Sequence, residues 1–401
     1  MPLVSPKTHV NQPKLPRLES IDMMRGLVMA LMALDHTRDF FSNVTFFPTD
    51  LEKTTAALFL TRWITHYCAP TFVFLTGVSA YLSAVRHTMS PVQLARYLVV
   101  RGVWLIVLEL TLVRFGWTFN WDMHSLYGGV IWALGWSMVC LAGWVFLPGW
   151  AIAGFAVLMI GGHNLFDSFQ VADGRVWGWL WVVLHEPGRI DYWPGYSFLV
   201  MYPLIPWLAV MAAGYALAPI FLWPTLRRKK ALLCLGFLLL TAFFILRLNN
   251  IYGDQAWFAQ KDGLFTVFAI LNCSKYPPSL AYLLMTLGPM LIGLAVFEVC
   301  RPKCLGNPLL VFGRVPLLFY LVHLWLIHGS AMIAMQFKGL PSDWLYRSPR
   351  FIPQMPTPEY GYGLGGVYMA WLLILLMLYP LCRSYAQFKQ RHPGLRWLAY
   401  L

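Results

Sequence analysis

The chain has 401 residues, of which 59% are hydrophobic and only 12% charged, and its formal net charge is +13. Globular domains carry about a quarter charged residues, so this composition excludes an ordinary soluble domain and points to one polytopic, all-α membrane bundle. The positive charge does not read as a nucleic-acid footprint, because it clusters beside apolar spans: Lys7, Lys14 and Arg17; Arg86 and Arg96; Arg227 to Lys230; Arg301 and Lys303; Lys389, Arg391 and Arg396. Charge placed that way encodes topology and meets anionic membrane lipids.

A polar tail over 1–19 precedes ten predicted spans: 20–43, 57–84, 93–117, 126–147, 149–165, 197–219, 230–248, 277–299, 307–335 and 363–384. The span at 149–165 is short, and "GRVWGWLWVVL" (174–184) reads as an extra re-entrant or interfacial segment. The bundle is bounded as 20–385, with a basic tail at 386–401. Ten crossings with both termini in the cytoplasm place the basic loops inside and the long, less basic loops 166–196, 249–276 and 336–362 outside. Those outer loops are rich in Trp and Tyr, which suits an interfacial belt better than a sugar-stacking platform. The N-terminus lacks a convincing cleavable signal. Seven cysteines form no evident disulfide framework or metal spacing, Cys300 and Cys304 included, and no permanently bound cofactor or metal is expected.

The first span holds the most informative stretch, "RGLVMALMALDH" from Arg25 to His36. Eleven residues at 100° each return to nearly the same helical face, about 16 Å along the axis. Asp22, Arg25, Met29, Met32, His36 and Asp39 therefore share one stripe. An intramembrane charge costs on the order of 2.5–3.5 kcal/mol even on a lenient insertion scale. Asp22–Arg25 and Arg38–Asp39 could pair at the two interfaces, but His36 lies inside, where function explains it better than structure. A histidine there can take a proton from an attacking hydroxyl or amine and return it to a leaving group. Asp35 or Asp39 could orient its ring, Asp39 being better placed at i+3. Arg25 is too distant to share the reacting atom and could hold an anionic part of an extended substrate.

"RLESIDMMRGLVMALMALDHTRDFF" resembles the opening helix of bacterial membrane proteins related to the catalytic domain of heparan-alpha-glucosaminide N-acetyltransferase. "APTFVFLTGVSAYL", "YPLIPWLAVMAAGYALAP", "KYPPSLAYLLMTLGP" and "GRVPLLFYLVHLWLIH" extend the likeness in order over most of the chain. The Arg-x₁₀-His spacing is also similar to that of bacterial O-acyltransferases that modify surface polysaccharides. The resemblance implies a transmembrane acyltransferase of the bacterial inner membrane. It would pass an acyl group, usually acetyl from cytoplasmic acetyl-CoA as co-substrate, to a glycan or amino-sugar acceptor on the far side. It marks Arg25 and His36, and also Asp22, Lys275, Tyr276, Arg314 and His323, as motif positions. The animal enzyme's catalytic histidine follows its first helix, whereas residues 41–61 here contain none, so His36 is the expected replacement, as general base or acyl carrier.

Other polar positions carry competing readings. His323 and His328 point about 140° apart on a helix, which argues against a shared metal. His323 reads equally as a cavity residue or an interhelical hydrogen bond. Glu109 needs a partner, for which Arg25 or Arg101 would serve. Arg314 before Pro316 would cap or kink a helix or bind a CoA phosphate; His66 and His163 read as structural. A proton- or anion-coupled transporter using the same charges is the alternative to the enzyme, and a scaffold the third reading. No inverted-repeat symmetry supports the transporter.

Overall fold

A computed structural model describes residues 17–169, 176–299, 306–346, 357–392, 394 and 395. Most of the 1–19 tail, Cys300, Arg301, Lys303, Cys304 and Arg396 therefore lie outside the described residues. The chain opens with α1 (Glu19–Phe41), α2 (Ala56–Ile64) running through one tight turn into α3 (Cys68–Arg86), and α4 (Pro91–Leu108). A π-helical turn, Glu109–Val113, joins α4 to α5 (Arg114–Thr118), and α6 (Val130–Trp144) and α7 (Gly149–Gly162) follow. Then come α8 (Val176–Leu184), α9 (Leu204–Leu217), α10 (Thr225–Asn249), α11 (Gly263–Leu271) and α12 (Leu280–Phe297). The chain continues through α13 (Gly306–Arg314), α14 (Pro316–Phe337) and α15 (Leu364–Arg391).

The protein is an all-α membrane bundle. Among the described residues, seven segments are long and apolar enough to cross a bilayer: α2–α3, α7, α9, α10, α12, α14 and α15. α6 is shorter, at 15 residues, and α1 carries Glu19, Asp22, Arg25, Asp35, Arg38 and Asp39. The predicted span 307–335 is two helices, broken where Val315 precedes Pro316, whose ring cannot continue an upstream hydrogen-bond ladder. α13 lies against α1 in the opposite sense, with Leu309 beside Gly26 and Gly313 beside Asp22. α15 runs six residues beyond the expected boundary at 385. The segment 174–184 contributes the short helix α8, fully buried only at Gly178 and half-buried along Trp179 and Trp181 to Leu184.

One departure from the sequence reading is a small sheet, ordered β1–β3–β2, from β1 (Ser125–Gly128), β2 (Gly188–Trp193) and β3 (Tyr196–Val200). β2 and β3 form a hairpin through Gly195, whose φ of 81° suits glycine, and β1 joins β3 in parallel. It stands beside the end of the bundle where α1 finishes.

Helix pairs meet on glycines. Gly77 of α3 and Gly214 of α9, Gly102 of α4 and Gly135 of α6, and Gly236 of α10 and Gly288 of α12 each abut the opposing backbone, as do Gly26 of α1 and Gly313 of α13. Hydrocarbon solvent gives helices no hydrophobic reason to associate, so close backbone approach through small residues supplies the packing. α1 lies deep in this frame, with Met23, Val28, Met29 and Ala33 nearly inaccessible.

Candidate functional site

The last two turns of α1 open into a cavity of about 1040 Å³. Its lining includes Asp35, His36, Arg38, Asp39, Arg62, Trp117, Tyr127, Lys275, Tyr276 and Tyr320. His36 projects from α1 toward α14, where its Nδ1 lies 2.7 Å from His323 Nε2. His323 Nδ1 lies 3.0 Å from the Phe319 carbonyl. A carbonyl oxygen only accepts, so in the neutral ring His323 carries its proton on Nδ1 and presents the lone pair of Nε2. His36 then donates from Nδ1, which leaves the lone pair on its own Nε2 free. Trp117 packs edge-on against His36, with ring centroids 4.8 Å apart, and Tyr320 stands 6.5 Å away.

The carboxylates expected beside His36 are engaged elsewhere. Arg38 Nη1 lies 2.7 Å from Asp35 and its Nη2 2.6 Å from Asp39. Arg62 of α2, which the sequence reading overlooked, donates to Asp35 at 2.6 Å and to Thr65 Oγ1 at 3.2 Å. Two arginines thus balance two aspartates, which removes the penalty of isolated buried charges. The group that orients His36 is another histidine, not Asp35 or Asp39.

Another wall of the cavity comes from the segment 250–279, which includes α11, and buried polar groups hold it in place. Arg247, at the end of α10, donates to the carbonyls of Ile270, Ala269 and Asn272 at 2.9–3.1 Å and to that of Gln255. Asp254 accepts from the Ser274 amide at 3.0 Å and from Ser279 Oγ at 2.6 Å, while Ser279 caps α12 through the Tyr282 amide. His163 reaches the Pro278 carbonyl at 2.9 Å. These anchors present Lys275 and Tyr276 to the cavity. Lys275 is only 9% exposed, and its Nζ lies 5.1 Å from the centre of the Tyr276 ring. The lining holds Arg38, Arg62, Arg247 and Lys275 against Asp35, Asp39 and Asp254, a surplus of one positive charge. The Tyr276 hydroxyl meets that of Tyr202 at 3.4 Å. Burial pushes its ionisation up, but Lys275 and then Arg62 outweigh this and leave it below the ordinary phenol value.

The remaining motif residues lie toward the other end of α1. Asp22 is held by Arg17 at 2.5 and 2.9 Å and stands 3.8 Å from Arg25. Arg25 donates to the Leu75 carbonyl at 3.1 Å and to Ser79. Arg314 stands 4.0 Å from Glu19. Between the two ends, Met29 and Met32 are buried, so the stripe is closed midway and Arg25 does not share the cavity of His36. Glu109 is paired with neither Arg25 nor Arg101; its Oε2 accepts the Ile131 amide at 3.2 Å, at the N-terminus of α6. His328 Nδ1 bonds the Gly116 carbonyl at 3.0 Å and its ring stacks on Phe119. His66 lines the cavity, with its Nδ1 buried and unpartnered.

No curated protein matches the chain. The family model described as heparan-alpha-glucosaminide N-acetyltransferase, catalytic, matches residues 17–234. That stretch carries Asp22, Arg25, His36 and Arg62, whereas Lys275, Tyr276, Arg314 and His323 lie beyond it. The match spans more than half of the 401 residues, and the chain, a helical membrane bundle around a histidine-lined cavity, belongs to the heparan-alpha-glucosaminide N-acetyltransferase catalytic-domain family of membrane acetyltransferases.

Proposed function

We propose that the protein transfers an acetyl group from cytoplasmic acetyl-CoA to a glycan or amino-sugar acceptor held in the large cavity, with His36 as general base. The observation that carries this reading is the hydrogen-bond order Phe319–His323–His36, which leaves His36 Nε2 with an unused lone pair. As the acceptor nitrogen or oxygen attacks the thioester carbonyl carbon, Nε2 takes its proton. Collapse of the tetrahedral species breaks the carbon–sulfur bond, and the imidazolium returns the proton to the CoA thiolate. Lys275 supplies positive charge for the oxyanion formed in between. Arg25 and Asp22 serve the donor at the other end of α1. In this reading the enzyme belongs to the bacterial inner membrane with both termini cytoplasmic, an orientation supported by the basic residues at 227–230 and 389–391.

The test is turnover of labelled acetyl-CoA by the purified protein in nanodiscs, followed to free CoA and to a panel of glycans and amino sugars. Wild-type transfer that disappears in folded His36→Ala supports the reading; equal rates in both proteins remove His36 from it. A labelled His36 adduct in a quenched reaction would replace direct transfer with a covalent acyl carrier.

A further inference from the structure

At the end of α1 remote from His36, a second cavity of about 360 Å³ lies between α1, α13 and α15. It is lined by Glu19, Leu310, Val311, Arg314, Tyr379 and Arg383, two guanidinium groups against one carboxylate. Arg314 Nη2 and Glu19 Oε1 stand 4.0 Å apart, the outer limit of an ion pair. Arg314 Nε is buried with no hydrogen-bond partner, and a buried donor without an acceptor in a native fold marks a place for an acceptor from outside the protein.

The chemistry of that acceptor follows from the walls. Planar guanidinium forks match the oxygens of a phosphate, and two of them converge here. On α15, Arg383 and Tyr379 continue at helical spacing into Leu376 and Leu372, which are 69% and 52% exposed. An apolar stripe thus leads away from a cationic cavity along a membrane helix. We propose that this cavity binds a phosphate group borne by an anionic phospholipid, with its headgroup between Arg314 and Arg383 and its acyl chain along Leu376 and Leu372. The site is separate from the one where His36 works, and it does not depend on the acetyl-transfer reading.

The experiment is native mass spectrometry of the full chain in detergent, titrated with phosphatidylglycerol or phosphatidylcholine. Wild type should retain phosphatidylglycerol preferentially, and Arg383→Gln should weaken that retention about fivefold or more, the effect of one basic residue at an anionic headgroup. Arg314→Gln should do the same; because Arg383 is exposed, its variant keeps the test informative if Arg314→Gln fails to fold. Equal retention of both lipids, or retention unchanged in Arg383→Gln, overturns the proposal. A parallel lipid-depleted titration compares CoA with pantetheine. Loss of CoA but not pantetheine binding in Arg383→Gln, with no change in lipid retention, would give the phosphate site to the donor and overturn the lipid assignment.

Discussion

The rings of His36 and His323 lie within 19° of parallel, centroids 5.0 Å apart, and they join two helices 287 residues apart in sequence. The contact fixes the tautomer of the ring that faces the cavity. Replacing His36 with Ala should cost transfer about 10²–10⁴-fold, the usual contribution of a general base. His323→Ala should cost less, and His323→Asn, whose side-chain oxygen still accepts a hydrogen bond, should recover part of the loss. Steady-state kcat of the three variants, each checked for an unchanged melting temperature, decides this. An Asn variant no better than Ala would separate His323 from the orientation of His36.

Arg62 and Asp35 make a different kind of prediction. With Arg62→Ala, Asp35 keeps Arg38, but the cluster carries a net negative charge in a largely buried setting. The loss should approach 3 kcal/mol, the lower end for breaking a buried pair from one side. Thermal unfolding in nanodiscs should show Arg62→Ala melting well below wild type, and Arg62→Ala/Asp35→Asn partly restored.

The Tyr276 hydroxyl is expected to ionise below the usual phenol value of 10 because Lys275 and Arg62 favour its anion more than burial opposes it. A group whose folded-state value is depressed adds stability above its unfolded value and loses it as pH falls through the folded one. The window is therefore alkaline, and neutral-pH stability is unaffected. Ultraviolet titration of wild type against Tyr276→Phe should isolate one early phenolate, and Lys275→Met should move it upward. A difference spectrum with no early phenolate would contradict the arrangement.

The glycine crossings predict a sharp contrast in tolerance. A Cβ at Gly214 would strike the Phe74 carbonyl, whereas one at Gly154 meets nothing within 4 Å. Gly214→Ala should lose on the order of 3 kcal/mol, the upper part of the range for overpacking, while Gly154→Ala should be neutral or slightly stabilising. Melting temperatures of the two proteins provide the comparison.

Arg247 predicts a change in dynamics rather than in chemistry. Arg247→Met leaves four carbonyls of the loop without their shared donor. Amide exchange across 254–276 should accelerate, and the KM for the acceptor should rise more than kcat falls. Unchanged exchange there would mean that Asp254 and His163 suffice to hold Lys275 in place.

Periodicity and composition made the bundle legible, because an apolar run long enough to cross a bilayer has few other uses. The α1 stripe was also readable from a helix's angular repeat, and Asp35 and Asp39 were recognisable as charges in need of partners. Arg38 was named for Asp39, but the second cation was not: "TRWITH" looks like a basic helix flank, and only the demand for neutrality inside a membrane could have pointed to Arg62. The tie from His36 to His323 was hidden because the two motifs are far apart in sequence. Glu109 misled for a related reason. A carboxylate's obvious partner is an arginine, yet the N-terminus of α6 offers backbone amides, which carry no sequence signature. The β1–β3–β2 sheet escaped because its strands are short, and the apolar residues of β1 and β3 run into the starts of the predicted spans 126–147 and 197–219.

The meeting of Gly26 with Gly313 and Leu309 bears on how donor and acceptor could reach one another. Backbone pressed on backbone makes α1 a fixed rail that cannot rotate without first separating from α13. A passage between its two ends must then come from the side chains lying across the middle of the stripe, Met29 and Met32. Methionine is unbranched and readily changes rotamer, so replacing those two residues with the stiff, β-branched Ile should slow transfer while leaving both ends intact.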